Sequence, residues 1–351
     1  MITMIELAES IYEVIKDYRN HDNIFITPEN IIEWAKQFED NGQLVLTELN
    51  KIIKETYISR VRAKEFIYEH ILSYLKLYEY SSIAQFLIDT EFIDVQQIHK
   101  SQPAILQLLE EVLTEKFQVS YLPYKGFPKV NYIYFDDILA SGSTIGRDLV
   151  IFLNKKNSSG QKFYQLIQSN EIKLSISVFC LHTWGFEFQK YRIQKEFNDK
   201  VLKKINWFWN YEIQNHAKFN NQKLNIAKPV KGSSSKINSY LENLSATKYE
   251  DYAYRKANTP TTEHFFTSAE NRIRFENVLT EKGIDIINMI KGEAKSNIRP
   301  LGLINPQYKI FGLGTHFFTW RNIPNNSPLV YWWEVAGHNW KPLFPVANRG
   351  N

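Results

Sequence analysis

Residues 132–146 read Tyr132-Ile133-Tyr134-Phe135-Asp136-Asp137-Ile138-Leu139-Ala140-Ser141-Gly142-Ser143-Thr144-Ile145-Gly146. An apolar run, Val130 to Phe135, reads as a buried strand that ends in two adjacent carboxylates. A short turn follows, rich in hydroxyls and with one glycine, and then a helical run from Thr144 to Leu153. Each part suits a sugar phosphate. The start of a helix offers unpaired N–H groups and a favourable dipole to an anion. Gly142 lets the backbone come close to a phosphate. Ser141, Ser143 and Thr144 add donors. Carboxylates repel phosphate, so Asp136 and Asp137 face something else; vicinal ribose hydroxyls are good partners for them. Adjacent acids after a strand also occur in receiver domains and on ordinary loops, so the pair alone decides little. A P-loop is disfavoured, because no GK[ST] follows the glycine.

Working upstream, a second anion site is expected before another helix. His99-Lys100-Ser101 stands just ahead of Pro103, where a helix to about Leu113 begins. Lys100 either neutralises a pyrophosphate or is a surface lysine; Ser101 is a candidate ligand beside it. Arg147, in the first helical turn after the glycine loop, either reaches a phosphate or is solvated. The stretches 84–88 and 92–95 are expected to contain a strand, Phe117 to Tyr121 a second, and Leu174 to Leu181 another. Strands that alternate with helices predict a mostly parallel sheet.

Residues 3 to about 90 carry helical spacing, with Thr27-Pro28 as a helix start and Trp34 and Phe38 on an apolar stripe. Residues 213–236 are polar and read as an exposed insertion or hinge. Ser268 to Met289 reads as one helix. The last fifty residues are irregular and aromatic. Four segments organise the chain: a helical region 1–82, an α/β core 83–212, the polar stretch 213–240 and a helical, aromatic region 241–351.

The formal net charge of +4 is too small to imply nucleic-acid binding by itself. Cys180 is the only cysteine, so no intrachain disulfide forms, and a reducing, cytoplasmic setting fits. The N-terminus lacks an apolar signal region, and no stretch approaches the ~20 apolar residues of a membrane span. The eight histidines show no paired metal spacing. Cys180 and His182 lie near the end of one strand, where neighbours need not meet.

The nine residues Asp136-Asp137-Ile138-Leu139-Ala140-Ser141-Gly142-Ser143-Thr144 match the type I phosphoribosyltransferase signature position by position. The resemblance implies that Asp136 and Asp137 hold the ribose hydroxyls of phosphoribosyl pyrophosphate and that Ala140 to Thr144 cradle its 5′-phosphate. Purine-salvage members often place an Asp that acts on the base where this chain has Ala140. Further segments widen the likeness: Trp34 to Phe38, Glu270-Asn271-Arg272 with Glu276, and Arg321-Asn322-Ile323-Pro324-Asn325-Asn326-Ser327-Pro328 with the tryptophans that follow. Together they resemble the phosphoribosyltransferase-like family of bacterial conflict and antiphage operons, the PRTase-CE-like proteins, over about residues 27–345. Bottom-up, Asn325 and Asn326 either bind a ligand or fix turns. Trp332, Trp333 and Trp340 either stack on a base or pack in a core, and packing is favoured. Arg272 and Glu276, four apart, are expected to form a surface pair.

The expected fold is α/β: a phosphoribosyltransferase-like, mostly parallel sheet with helices on both faces, an N-terminal helical region and an aromatic-rich C-terminal region. The expected function is binding of phosphoribosyl pyrophosphate or a related nucleotide with Mg²⁺ carried by the ligand, in an effector subunit of an antiphage system. Asp136, Asp137 and Lys100 are the catalytic candidates if pyrophosphate is displaced at C1′. Two alternatives stand beside this: a non-catalytic nucleotide-sensing module that contacts a partner protein from the same operon or nucleic acid, and a nucleotide glycosidic-bond hydrolase.

Overall fold

The computed structural model describes residues 2–98, 100–126, 128–216 and 223–346. The chain divides into two compact units. Met1–Arg60 with Ile213–Asn351 forms a discontinuous unit, and Val61–Glu212 forms a sheet unit.

The chain starts with helices α1 (Met4–Ile15), α2 (Pro28–Lys36) and α3 (Gly42–Thr56), then strand β1 (Tyr57–Ile58). Local chemistry sets the first two starts. Thr3 accepts from the Glu6 N–H while Glu6 accepts from Thr3 N at 2.7 Å. Thr27 and Asn30 repeat this reciprocal cap ahead of Pro28.

The sheet unit follows, with α4 (Arg60–Leu77), α5 (Ile83–Ile88), β2 (Thr90–Phe92), α6 (Ser101–Phe117), β3 (Asn131–Leu139), α7 (Ser143–Asn154), α8 (Phe163–Gln168), β4 (Lys173–His182), α9 (Thr183–Phe197), α10 (Asp199–Leu202) and β5 (Ile205–Ile213). The sheet order is β2-β3-β4-β5. Strands β2, β3 and β4 are parallel, with Phe92 opposite Ile133 and Asp136 opposite Val178. Helices cover both faces, as expected. On one face Leu174, Ile176 and Val178 pack with Leu149, Phe152, Leu166 and Ile193 of α7, α8 and α9. On the other, Phe135 meets the rings of His70 and Tyr74 from α4. The hydroxyl of Tyr74 bonds Ser177, and that of Tyr78 bonds Ser175 at 2.5 Å. Period-2 alternation along β4 therefore sends hydroxyls to α4 and aliphatic chains to α7–α9.

Two strand expectations change. Residues 117–121 form no strand: the apolar stripe Leu109, Val112, Leu113 carries α6 on to Phe117, and Gln118 ends it at φ 57°. Residues 84–88 lie in a helix, and only Thr90–Phe92 pairs. A short apolar run fits a buried helix as well as a strand, so periodicity alone did not separate them. Strand β5, INWFWNYEI, went unread, because most of its positions are half-buried on both faces.

The discontinuous unit resumes with α11 (Ser235–Glu242), α12 (Ala269–Asn288), β6 (Phe318–Thr319) and α13 (Leu329–Trp332). Strand β6 pairs in parallel with β1. The tryptophans are core. Trp332 and Trp333 are buried, and Trp34 and Trp340 both donate to the Val330 carbonyl, at 2.9 and 3.1 Å. Within 213–236, residues 217–222 lie outside the described residues. Leu224, Ile226 and Ala227 are buried, so this part is packed within its unit.

Arg272 and Glu276 correct the expectation of a surface pair. Both are buried. Arg272 Nε donates to Glu276 at 2.8 Å, and Nη1 donates to Glu263 at 2.9 Å. Arg255 donates to Glu276 from elsewhere in the chain, at 2.9 Å. Helical spacing described the pair correctly; burial came from segments distant in sequence.

Candidate phosphate and ribose site

The acids lie on the strand, which runs two residues past them. Strand β3 runs on to Leu139 because β4 continues beside it, with Ile138 opposite Cys180. The carboxyl end of a parallel strand thus carries Asp136 and Asp137, and alternation directs them differently.

Asp136 is buried and faces inward. Its Oδ1 accepts from the Ser101 hydroxyl and from Asp137 N at 2.9 Å. Its Oδ2 accepts from Gln96 Nε2 at 2.9 Å and from the Tyr134 hydroxyl at 3.3 Å. Gln96 also donates to Asp148 at 3.2 Å, and Tyr134 to Asp148 at 2.9 Å. Gln102 of α6 holds this loop in turn: its Oε1 accepts from Val95 N and Gln96 N. Asp137 is half-buried, and its Oδ1 accepts from Ile138 N at 2.8 Å.

Burial, and second the Asp137 carboxylate, push Asp136 from an ordinary 3.8 up to about 7. Hydrogen bonds from Ser101, Gln96 and Asp137 N oppose the rise. A raised acid binds its proton more tightly folded than unfolded, so the advantage is full below the unfolded value. It is lost as pH climbs through the folded one. Unfolding free energy is expected to fall between about pH 4 and about pH 7, by at most about 1.4 kcal/mol per unit from this group. Denaturant titrations of wild type and Asp136→Asn across that window check it: the variant's slope should be flatter.

The loop from Ala140 leads into α7. Gly142 is the N-cap at φ 76°, in the left-handed region that glycine tolerates, and no side chain caps the helix. The first helical bond is Gly146 N to Gly142 O, at 2.8 Å. Ser143 N lies 3.5 Å from the Ser141 hydroxyl oxygen, and the Thr144 and Ile145 N–H groups of the first turn are left for a ligand or solvent. Ser141, Ser143 and Thr144 are exposed, and Ala140 is half-buried. The hydroxyls of Ser141 and Ser143 lie 3.1 Å apart.

The structure brings Ser101 to Asp136, so the N-termini of both α6 and α7 adjoin the acids. Lys100 is the exposed N-cap of α6. His99 lies outside the described residues. Arg147 is exposed and pairs with Asp148 at 3.0 Å. Asn325 and Asn326 belong to the other unit, where their carbonyls accept from Leu303 N and Thr315 N in turns. Sequence reasoning missed Gln96 and Tyr134, which donate to Asp136, and Gln102 and Asp148, which hold that pair in place. A single polar residue, whether on a strand, a loop or a helix, carries no periodic signal of such a role.

The sequence profile of the PRTase-CE family matches residues 31–346. The chain belongs to the PRTase-CE family. Comparison with curated proteins and with solved structures found no match. The match takes in the acids, the glycine loop and the aromatic C-terminal region of this PRTase-CE chain. Among the described residues, no group of three or more His, Cys, Asp or Glu side chains is arranged to hold a metal ion. No described helix is long and apolar enough to cross a membrane. Cys180 and His182 are buried, which raises the thiol well above its ordinary range and lowers the imidazole to about 3. A thiol held protonated beside so weak a base makes a poor Cys–His nucleophile.

Proposed function

We propose that this PRTase-CE protein binds phosphoribosyl pyrophosphate, or a nucleotide related to it, at the carboxyl end of β3. The supporting observation is the meeting of two helix N-termini at a pair of strand-borne carboxylates. The α7 end takes the 5′-phosphate, on the N–H groups of its first turn and the hydroxyls of Ser141, Ser143 and Thr144. The α6 end, with Lys100 at its cap, takes the pyrophosphate. Asp137 accepts from a ribose hydroxyl. Asp136 joins it by exchanging the Ser101 hydroxyl for a sugar hydroxyl, since both are neutral O–H donors. Mg²⁺ would enter with the ligand and would supply positive charge to a leaving pyrophosphate. The chain's own residues bind and orient the sugar.

If a nucleophile attacks C1′, pyrophosphate departs and Lys100 stabilises its charge; positioning carries the catalysis. Ala140 favours the second reading, a binding module without turnover, because an acid acting on a base is missing from that position. The resemblance to conflict-system proteins supports an effector role in antiphage defence, with a partner protein from the same operon. Pyrophosphate release, measured with phosphoribosyl pyrophosphate, Mg²⁺ and a panel of bases and nucleotides, separates the two. Release that Lys100→Ala slows by about tenfold or more supports transfer. Saturable binding with no release supports the module.

A further inference from the structure

Helix α9 grips the glycine loop along one stripe. Gly185 lies so close that a Cβ there would stand 1.8 Å from the Ala140 carbonyl oxygen. One turn later comes Gln189, with no exposed surface. A Cβ on Gly142 would stand 2.2 Å from its Nε2, and one on Gly146 would stand 2.0 Å from its Oε1. The carboxamide therefore lies flat on the backbone of the first α7 turn, in space that only two glycines one turn apart leave open. Yet neither Nε2 nor Oε1 has a hydrogen-bond partner among the described residues. A buried amide left unpaired is unfavourable, and an apolar side chain of the same shape would pack there without that cost.

Peptide planes supply the reason to keep it. Turning the N–H of one residue toward an anion turns the preceding carbonyl the opposite way. A loop whose Ser141, Gly142 and Ser143 N–H groups close on a phosphate must send the Ala140, Ser141 and Gly142 carbonyls inward, toward α9. The Ala140 carbonyl already faces Gly185. That of Gly142 has its helical partner, Gly146 N. The Ser141 carbonyl then needs a donor, and the unused one beneath it is Gln189.

We infer that Gln189 is a positioning residue for the phosphate loop, donating from Nε2 to the inward-turned Ser141 carbonyl when the loop closes on a phosphate. This rests on the phosphate-binding reading of the loop. It makes a side chain that touches no ligand a determinant of affinity, and it gives Gly142 and Gly146 one shared purpose.

The test pairs ribose 5-phosphate titrations with thermal unfolding of the unliganded protein, for wild type and Gln189→Met. The methionine keeps the length and removes both polar atoms. Affinity is expected to fall about tenfold, while the unliganded midpoint stays level or rises. A residue that serves only packing would move the midpoint down and leave affinity unchanged. Should Gln189→Met fail to fold, Gln189→Asn withdraws the same carboxamide by one methylene and should show the same loss. Binding by either folded variant within about twofold of wild type overturns the inference alone. Wild type that fails to bind ribose 5-phosphate removes the phosphate reading itself, and this inference with it.

Discussion

Arg272→Met is expected to destabilise the protein by about 3–5 kcal/mol, the cost of breaking a buried ion cluster from one side. Arg272 is 1% exposed, and three of its nitrogens are committed: Nε to Glu276, Nη1 to Glu263 and Nη2 to the Ile226 carbonyl at 3.1 Å. Its guanidinium also lies over the Phe266 ring, 4.8 Å from the centroid. Methionine fills much of the volume but leaves Glu263 without a cation and the Ile226 carbonyl without that donor. Glu276 keeps Arg255, so the loss concentrates on Glu263. Adding Glu263→Gln should therefore restore part of the stability, because the uncompensated charge goes with it. Denaturant unfolding of the single and double variants measures both. A single-variant loss below about 1 kcal/mol would show that this cluster does not hold its unit together.

Gly185→Ala is expected to cost about 2–3 kcal/mol and to weaken ligand binding by more than tenfold. The added methyl meets backbone, the Ala140 oxygen at 1.8 Å and its carbonyl carbon at 2.9 Å. A flexible side chain could swing away, but a loop fixed at one end by β3 and at the other by α7 cannot yield without moving. The displacement falls on the residues proposed to cradle the phosphate, so stability and affinity should fall together. Gln189→Met should instead divide the two. Crystallography of Gly185→Ala, or titration with ribose 5-phosphate, checks this; an unshifted loop with wild-type affinity would count against the grip of α9 on the loop.

Much of the sheet unit was legible in the sequence because its signals are local. The run Val130 to Phe135, the Gly142 turn and the helix after it are contiguous, and the structure has strand, glycine cap and helix in that order. The β4 run is hydrophobic enough to read alone. What stayed hidden depends on residues far apart in the chain. Gln96 and Gln102 look like ordinary loop and helix polar residues until β3 is placed against α6. Gln189 looks like a surface position of an amphipathic helix until two glycines of α7 are set over it. Arg272 and Glu276 have the spacing of a solvated pair, and only Glu263 and Arg255 make them a buried cluster. Strand β5 failed for a different reason: half-buried aromatics blur the alternation that marks a strand.

The most direct test of the central claim is calorimetric titration of phosphoribosyl pyrophosphate, with Mg²⁺, into wild type and into the Asp136→Asn, Asp137→Asn double variant. Saturable binding by wild type, weakened by about a hundredfold or more in the folded variant, is the predicted result. Equal affinity in the two proteins, or no binding to folded wild type, would contradict a ribose site at the end of β3.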